Sequence, residues 1–426
     1  MKPSKYNICL PYDDRFVVFN GVTKRFFLVS SQNKKAFLQI LSTPDEYKEQ
    51  YAPFLQRMAK EGFIIEDNVD EQEVVKQQYE KLNQSDEYRL MILPTYACNV
   101  RCWYCTQNHK NVRLSEGDVE RIKKHIVYYL TTNKLKGLHL SWFGGEPIID
   151  FRHIREIARF SKEYCRENHL KYRNSITTNG ILLNKEILKD MADLEFCFFQ
   201  ITIDGTKEEH DKTKIIKKNS AYEVVLNNIC LIKEIIPHAQ IQLRYNYTKE
   251  NLLPEKIIQD LNLILPPEVR KSINISIIKV WQQNENEIDI NDIKRLVDLA
   301  NSYGYHPQVG GGFRPCYVDG THFNCIFPNG RVDKCDNKDI ENCRGHINEC
   351  GKIIWDVSPT FIKNSIFSNF ENECTKCCYL PLCYGPCPLE RDKKFVNIHC
   401  RYTDKKRTWE NRLYFYCKQQ LEIHNT

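Results

Sequence analysis

The chain has 426 residues, 42% of them apolar and 12% aromatic; that length exceeds one ordinary compact domain and predicts two or three units, each with its own core. Its 61 basic and 55 acidic residues leave a net charge of +6 spread along the chain, a mixed surface that argues against nucleic-acid binding. No apolar run reaches the length of a membrane span, and the basic start Met1-Lys2-Pro3-Ser4-Lys5 has no apolar segment behind it, so no membrane contact and no secretory signal are expected and the protein is expected to be cytoplasmic.

Three short strands are predicted at Tyr6 to Pro11, Phe16 to Phe19 and Arg25 to Val29, with the turn Asn20-Gly21 between the last two. Helical spacing follows at Gln32 to Leu41 and Pro44 to Glu61, which completes a small α+β domain over residues 1–68. The charged stretch Glu66 to Glu87 spaces Val74, Val75, Tyr79 and Leu82 for one amphipathic helix, expected as a linker over residues 69–88. From 89 to 309, strand-like runs at Leu90 to Pro94, Gly137 to Trp142, Arg173 to Thr177, Phe196 to Ile203, Gln240 to Tyr245 and Ile273 to Val280 alternate with helical stretches. Those helices are expected at Glu116 to Thr131, Phe151 to Glu167, Lys185 to Leu194, Ala221 to Ile235 and Leu253 to Leu263. This order predicts an α/β fold, a parallel barrel or open sheet wrapped by helices, with chemistry at the C-terminal strand ends. Residues 310–402 turn to short loops dense in Cys, Gly and Pro, and a last helix is expected over 403–426.

Nineteen cysteines stand out, because a reducing cytosol does not favour structural disulfides and metal binding is the better use for them. Cys98-Asn99-Val100-Arg101-Cys102-Trp103-Tyr104-Cys105 places three thiols on one short loop after the first strand of the large sheet. Three thiolates can hold three irons of a 4Fe–4S cube and leave the fourth iron open, whereas a structural zinc takes four protein ligands. Downstream lie Cys316, Cys325 and Cys335, then Cys374-x2-Cys377-x5-Cys383-x3-Cys387 and Cys400; C-x2-C pairs also occur in zinc ribbons, and a zinc-stabilised or electron-carrying protein without catalysis is the competing reading.

The C-x3-C-x2-C loop, with an aromatic before its last Cys, resembles the signature of the radical S-adenosylmethionine (SAM) superfamily. Phe143-Gly144-Gly145-Glu146-Pro147 is similar to that family's GGEP motif, and Thr177-Thr178-Asn179-Gly180 to its segment near the SAM ribose. Thr202-Ile203-Asp204-Gly205 with His210-Asp211 resembles a later strand-end motif, with Lys214 where the family usually has Arg. Arg244-Tyr245-Asn246 also matches. The downstream cysteines resemble the SPASM extension, which in relatives binds two auxiliary clusters.

The resemblance implies a partial (β/α)6 TIM-like barrel, preceded by a winged-helix-like domain and followed by a SPASM domain. It implies three 4Fe–4S clusters: Cys98, Cys102 and Cys105 for the one that binds SAM; Cys316, Cys335 and Cys387 for the first auxiliary cluster, with Cys325 as its candidate fourth ligand; and Cys374, Cys377, Cys383 and Cys400 for the second. Gly144, Gly145, Glu146, Thr178, Asn179, Asp204 and Arg244 are the implied SAM contacts. The implied reaction is reductive cleavage of SAM to a 5′-deoxyadenosyl radical, fed by a flavodoxin- or ferredoxin-type donor, and hydrogen abstraction from a substrate carbon. The length ahead of the cluster loop favours a maturase of ribosomally made precursor peptides, whose leader the N-terminal domain would capture as an added strand, forming a thioether, C–C or C–O crosslink. The alternative is an anaerobic sulfatase-maturing enzyme that forms formylglycine, in which Asp336 would be the general base. A tRNA methylthiotransferase shares the three-cysteine loop, but no RNA-binding unit or basic stripe accompanies it. Cys9, Cys165, Cys197, Cys230, Cys343, Cys350, Cys378 and Cys417 read mostly as small buried hydrophobes.

Overall fold

The computed structural model describes residues 1–280, 282, 289–357, 366–368, 373–391, 400, 402 and 404–425. They fall into two compact units, one of Met1–Gln84, Gly311–Thr321 and Pro359–Thr426, the other of Ser85–Gly310 and His322–Ser358.

In the first unit an antiparallel sheet runs in the order β1 (Asn7–Tyr12), β2 (Arg15–Asn20), β3 (Phe26–Ser30). The alternation in β1 buries Ile8, Leu10 and Tyr12 and turns Asn7, Cys9 and Pro11 outward, as a period of two requires. Helices α1 (Lys34–Ser42) and α2 (Ala52–Lys60) follow, and Phe37, Leu41, Leu55 and Met58 join Phe16 and Val18 in one core. The helix expected over Pro44 to Glu61 is broken. Pro44–Tyr47 forms a single 3-10 turn, Tyr51 leaves helical geometry, and α2 starts afresh with Pro53 in its first turn, where a missing N–H costs nothing.

Helix α3 (Glu71–Asn83) starts where Asp70 accepts from the Gln72 and Glu73 amides at 2.9 and 3.3 Å, a side-chain N-cap. Expected as a linker, it instead packs Val75 and Tyr79 into a cluster with Tyr6, Ile366, Phe367, Leu380 and Tyr384 of its own unit. The C-terminal helix is Lys405–Asn425; residue 403, where it was expected to begin, lies outside the described residues.

The second unit is built on one large sheet. Its strands β4 (Glu87–Ile92), β5 (Gly137–Trp142), β6 (Lys171–Thr178), β7 (Phe196–Asp204), β8 (Gln240–Tyr247), β9 (Ile273–Lys279) and β10 (His306–Val309) lie side by side in chain order, every neighbour parallel. The six expected strands are there, and β10 is a seventh that its four residues did not announce. Connecting helices include α4 (Glu116–Thr132), α5 (Phe151–Glu167), α6 (Lys185–Asp193), α7 (Lys207–Thr213), α8 (Ala221–Ile235), α9 (Pro254–Asn262) and α10 (Ile290–Ser302). Ser115 starts α4 with a capping box: its hydroxyl accepts from the Asp118 amide at 3.2 Å, and the Asp118 carboxylate accepts from the Ser115 amide at 2.8 Å.

Strands β11 (Phe323–Ile326), β12 (Arg331–Asp333), β13 (Gly345–Ile347) and β14 (Ile353–Trp355) extend the sheet beyond β4, the first parallel and the rest antiparallel. The expectation of loops alone after residue 310 is therefore corrected for 323–355. These strands are three or four residues long, too short to display a period. The sheet ends on β10 and β14, so it is an open, parallel-rich sheet and not a closed barrel.

Candidate functional site

The parallel strands of the second unit deliver most of the singled-out residues at their C-terminal ends. The segment leaving β4 carries Cys98, Cys102 and Cys105, with a turn closed by the Cys105 amide on Cys102 O at 3.1 Å. The segment leaving β5 is strapped to its approach: the Gly145 amide donates to Thr95 O at 3.0 Å and the Glu146 amide to Ala97 O at 2.8 Å. Gly144 has φ +122°, and a Cβ on it would run into Thr95 O, as one on Gly145 would run into Ala97 O and Tyr96 O. The paired glycines were expected to let backbone approach a ligand; what approaches them is the backbone that leads into Cys98.

Glu146 is fully buried. Its carboxylate accepts from the Ile148 amide at 3.1 Å, the Thr178 hydroxyl at 2.7 Å and the Asn179 amide at 2.8 Å, which ties the end of β5 to the end of β6. Burial pushes its carboxyl up to about 7, and these hydrogen bonds pull the other way. Asn179 also donates to Asn99 Oδ1 at 2.7 Å, between the first two cysteines of the loop.

Asp204, the last residue of β7, is 2% exposed. Lys214 Nζ pairs with its Oδ2, the Tyr104 phenol donates to its Oδ1 at 2.6 Å, and Asn246 Nδ2 donates to the same oxygen at 3.4 Å. Burial alone would raise its pKa, but the Lys214 charge, with His210 and the hydrogen bonds, holds it below the ordinary carboxylate value. Lys214 therefore has a definite place as the buried partner of Asp204, which the sequence left open. Arg244 on β8 donates from Nε to Asn246 Oδ1 at 3.0 Å; burial lowers its pKa, while Tyr104, Asp204 and Asp336 act to raise it. Asp336, just beyond β12, thus bears on the same charge network.

Cys325 on β11 is fully buried, and Cys335 and Cys343 are nearly so. Burial drives the Cys325 thiol well up, with Asp336, Cys335 and Cys343 adding to it. The first unit holds the other cysteines. Cys374, Cys377, Cys383 and Cys400 line one cavity together with Tyr402, Lys405 and Trp409. The Cys377 thiol is held below its ordinary range, first by a hydrogen bond with Cys378 and further by Lys405. Cys316 and Cys387 lie in this unit too; burial raises the Cys316 thiol, and Asp319 and Cys387 add to it. Four thiols lining one cavity are a donor set that suits an iron–sulfur cluster. Among the described residues, no three His, Cys, Asp or Glu side chains converge as they would on a single metal ion. Of the eight remaining cysteines, Cys165, Cys343 and Cys417 are buried as expected, but Cys9 and Cys350 are exposed and Cys197, Cys230 and Cys378 lie between.

Reading the sequence missed the hydroxyl of Tyr104, His109 and Lys405. Tyr104 was visible only as an aromatic in the cysteine loop, and the others carried no local signal.

A parallel-rich α/β sheet with a three-cysteine loop at the end of its first strand, fastened to a Gly-Gly-Glu segment at the end of its second, defines the class: residues 92–254 match the model of the Radical SAM superfamily, and this part of the chain is a radical SAM domain. That membership implies a 4Fe–4S cluster with SAM. The chain is 24% identical over 369 residues to a cysteine-type anaerobic sulfatase-maturating enzyme of Clostridium perfringens, covering 73% of this chain and 93% of that one. It is 23% identical to the radical SAM cyclopropyl synthase TigE of Paramaledivibacter caminithermalis, covering 93% and 87%. In fold it is similar to Streptococcus suis SuiB, solved bound to the precursor peptide SuiA, with a TM-score of 0.53 over 94% of this chain and 99% of that one at 17% identity. Among the described residues no helix is long and apolar enough to cross a membrane.

Proposed function

We propose that this protein is a maturase that installs an oxidative crosslink, a thioether, C–C or C–O bond, in a ribosomally made precursor peptide. The observation that carries this reading is coverage: the match to the cyclopropyl synthase runs over 93% of this chain, against 73% for the sulfatase-maturating enzyme. The β1–β3 sheet adds support, because β1 and β3 are both edges and an extended leader could pair with one of them.

Cys98, Cys102 and Cys105 would hold the SAM cluster, with Gly144, Gly145, Glu146, Thr178, Asn179, Asp204 and Arg244 around the cofactor. The chemistry supplied by the bound cluster and SAM is one-electron reductive cleavage to a hydrogen-abstracting radical. The chain's own part is positional: Glu146 fastens two strand ends, and Tyr104, Asp204 and Lys214 hold the cysteine loop against β7. Cys374, Cys377, Cys383 and Cys400 would hold an auxiliary cluster in their cavity, and the sequence-based ligand set Cys316, Cys325, Cys335 and Cys387 for the other is kept. An electron donor of flavodoxin or ferredoxin type is part of the proposal.

The second reading is formylglycine formation on a sulfatase. It is supported by the electrostatic influence of Asp336, the candidate base, on Arg244. Anaerobic incubation with SAM and a reductant, once with peptides encoded beside this gene and once with a sulfatase-motif peptide, separates the two by mass spectrometry. Loss of two hydrogens from a neighbouring peptide supports the maturase; loss of the cysteine sulfur from the sulfatase peptide alone overturns it.

A further inference from the structure

We propose that His109 donates a hydrogen bond to the Cys105 thiolate and so raises the reduction potential of the cluster that this loop would hold. The inference rests on the reading of Cys98, Cys102 and Cys105 as cluster ligands.

Arg101 is anchored on the loop, where its Nη1 donates to Cys98 O at 2.9 Å and Val100 O at 3.1 Å. The same nitrogen stands 2.9 Å from His109 Nδ1, so one of its two hydrogens is shared between a carbonyl and the imidazole. A guanidinium has donors and no acceptor, so Nδ1 must present its lone pair. In a neutral imidazole the hydrogen then sits on Nε2, and Nε2 lies 3.1 Å from Cys105 Sγ. A ligating thiolate can only accept. Arg101 therefore sets the tautomer, and His109 passes that choice on as an N–H directed at sulfur.

Cys98 is met by the Val100 amide and, at a longer 3.9 Å, by Asn179 Nδ2, and Cys102 by the Tyr104 hydroxyl, whereas the ring N–H of His109 is directed at Cys105. An N–H on a ligand sulfur withdraws electron density from it and stabilises the more negative, reduced state, which is one of the ways a protein sets cluster potential. His109 acts through Cys105 and is a positioning and tuning residue.

The test compares reconstituted wild type with His109→Phe, His109→Gln and Arg101→Met, measuring iron content and the midpoint potential of the EPR signal that changes on adding SAM. Full iron in all four, a more negative midpoint in His109→Phe, recovery in His109→Gln, whose amide can donate, and a fall in Arg101→Met are expected. An unchanged midpoint in iron-replete His109→Phe overturns the inference. So does loss of about four irons from that variant, which would make His109 a ligand. Cys98→Ala/Cys102→Ala/Cys105→Ala is the separate control: if it keeps the SAM-responsive signal, the ligand reading itself fails whatever His109 does.

Discussion

The Tyr104 phenol donates to Asp204 Oδ1 at 2.6 Å, and through this bond a residue between two cysteines of the loop is held by the last residue of β7, a hundred positions away. Because Asp204 is also paired with Lys214, the tether is a charge-assisted hydrogen bond in a buried setting, the stronger kind. Tyr104→Phe should cost about 1.5–3 kcal/mol locally and free the loop more than the sheet. The expected result is iron loss to a chelator roughly tenfold faster or more, with little change in the thermal midpoint of iron-free protein.

Lys214→Met leaves the buried Asp204 carboxylate without its paired charge, with the Arg244 guanidinium as the cation that still acts near it. Removing one partner of a buried pair typically costs about 3–5 kcal/mol, read here as a drop in the denaturation midpoint. The pH dependence should change as well. In wild type the depressed Asp204 pKa contributes stability that is present above its ordinary value of 3.8 and is lost as pH falls below it. In Lys214→Met that contribution disappears, so the variant's deficit should hold steady above 3.8 and shrink as pH falls below it; a deficit of constant size down to about pH 2 would contradict this account.

Glu146 gives the opposite slope. Its folded pKa of about 7 lies above the ordinary 4.5, so the protonated fold is favoured; this contribution is complete below about pH 4.5 and is lost as pH rises through 7, in total roughly 3 kcal/mol. Urea titrations of iron-free protein at pH 5 and pH 8 should reveal the loss in wild type and its absence in Glu146→Gln.

Gly145→Ala places a methyl against Ala97 O and Tyr96 O, backbone atoms that cannot turn aside, so the segment entering Cys98 must shift. Reconstituted variant should contain about four fewer irons than wild type and lack the SAM-responsive EPR signal, while circular dichroism stays unchanged.

Cys374→Ala/Cys383→Ala removes two thiols from the four-cysteine cavity. Iron should again fall by about four, but the SAM-responsive signal should survive. Loss of that signal too would mean that the cavity supports the fold and not a separate cluster.

Much of this was legible in the chain. Near-continuous apolar runs such as Phe196-Cys197-Phe198-Phe199 announce strands covered on both faces, and the long helices between them have clear apolar periods, so the α/β class and the order of six strands follow from local pattern. Cysteine spacing names the loop at 98–105 because its three thiols are neighbours in sequence as well as in space. The short strands between 323 and 355 were hidden because three or four residues show no period.

The sequence by itself determined the cofactor chemistry, since thiol number and spacing are covalent facts of one short segment. Only the tertiary structure decided what Lys214, Tyr104, Asn246 and His109 do. Each acts on a partner from another element or across a turn, and a hydrogen bond of 2.6 or 3.1 Å depends on where the backbone delivers both groups, which no local pattern encodes. Desolvation works the same way: Glu146 has the same carboxyl in any sequence, and it is the packing of two strand ends around it that moves its proton affinity to about 7.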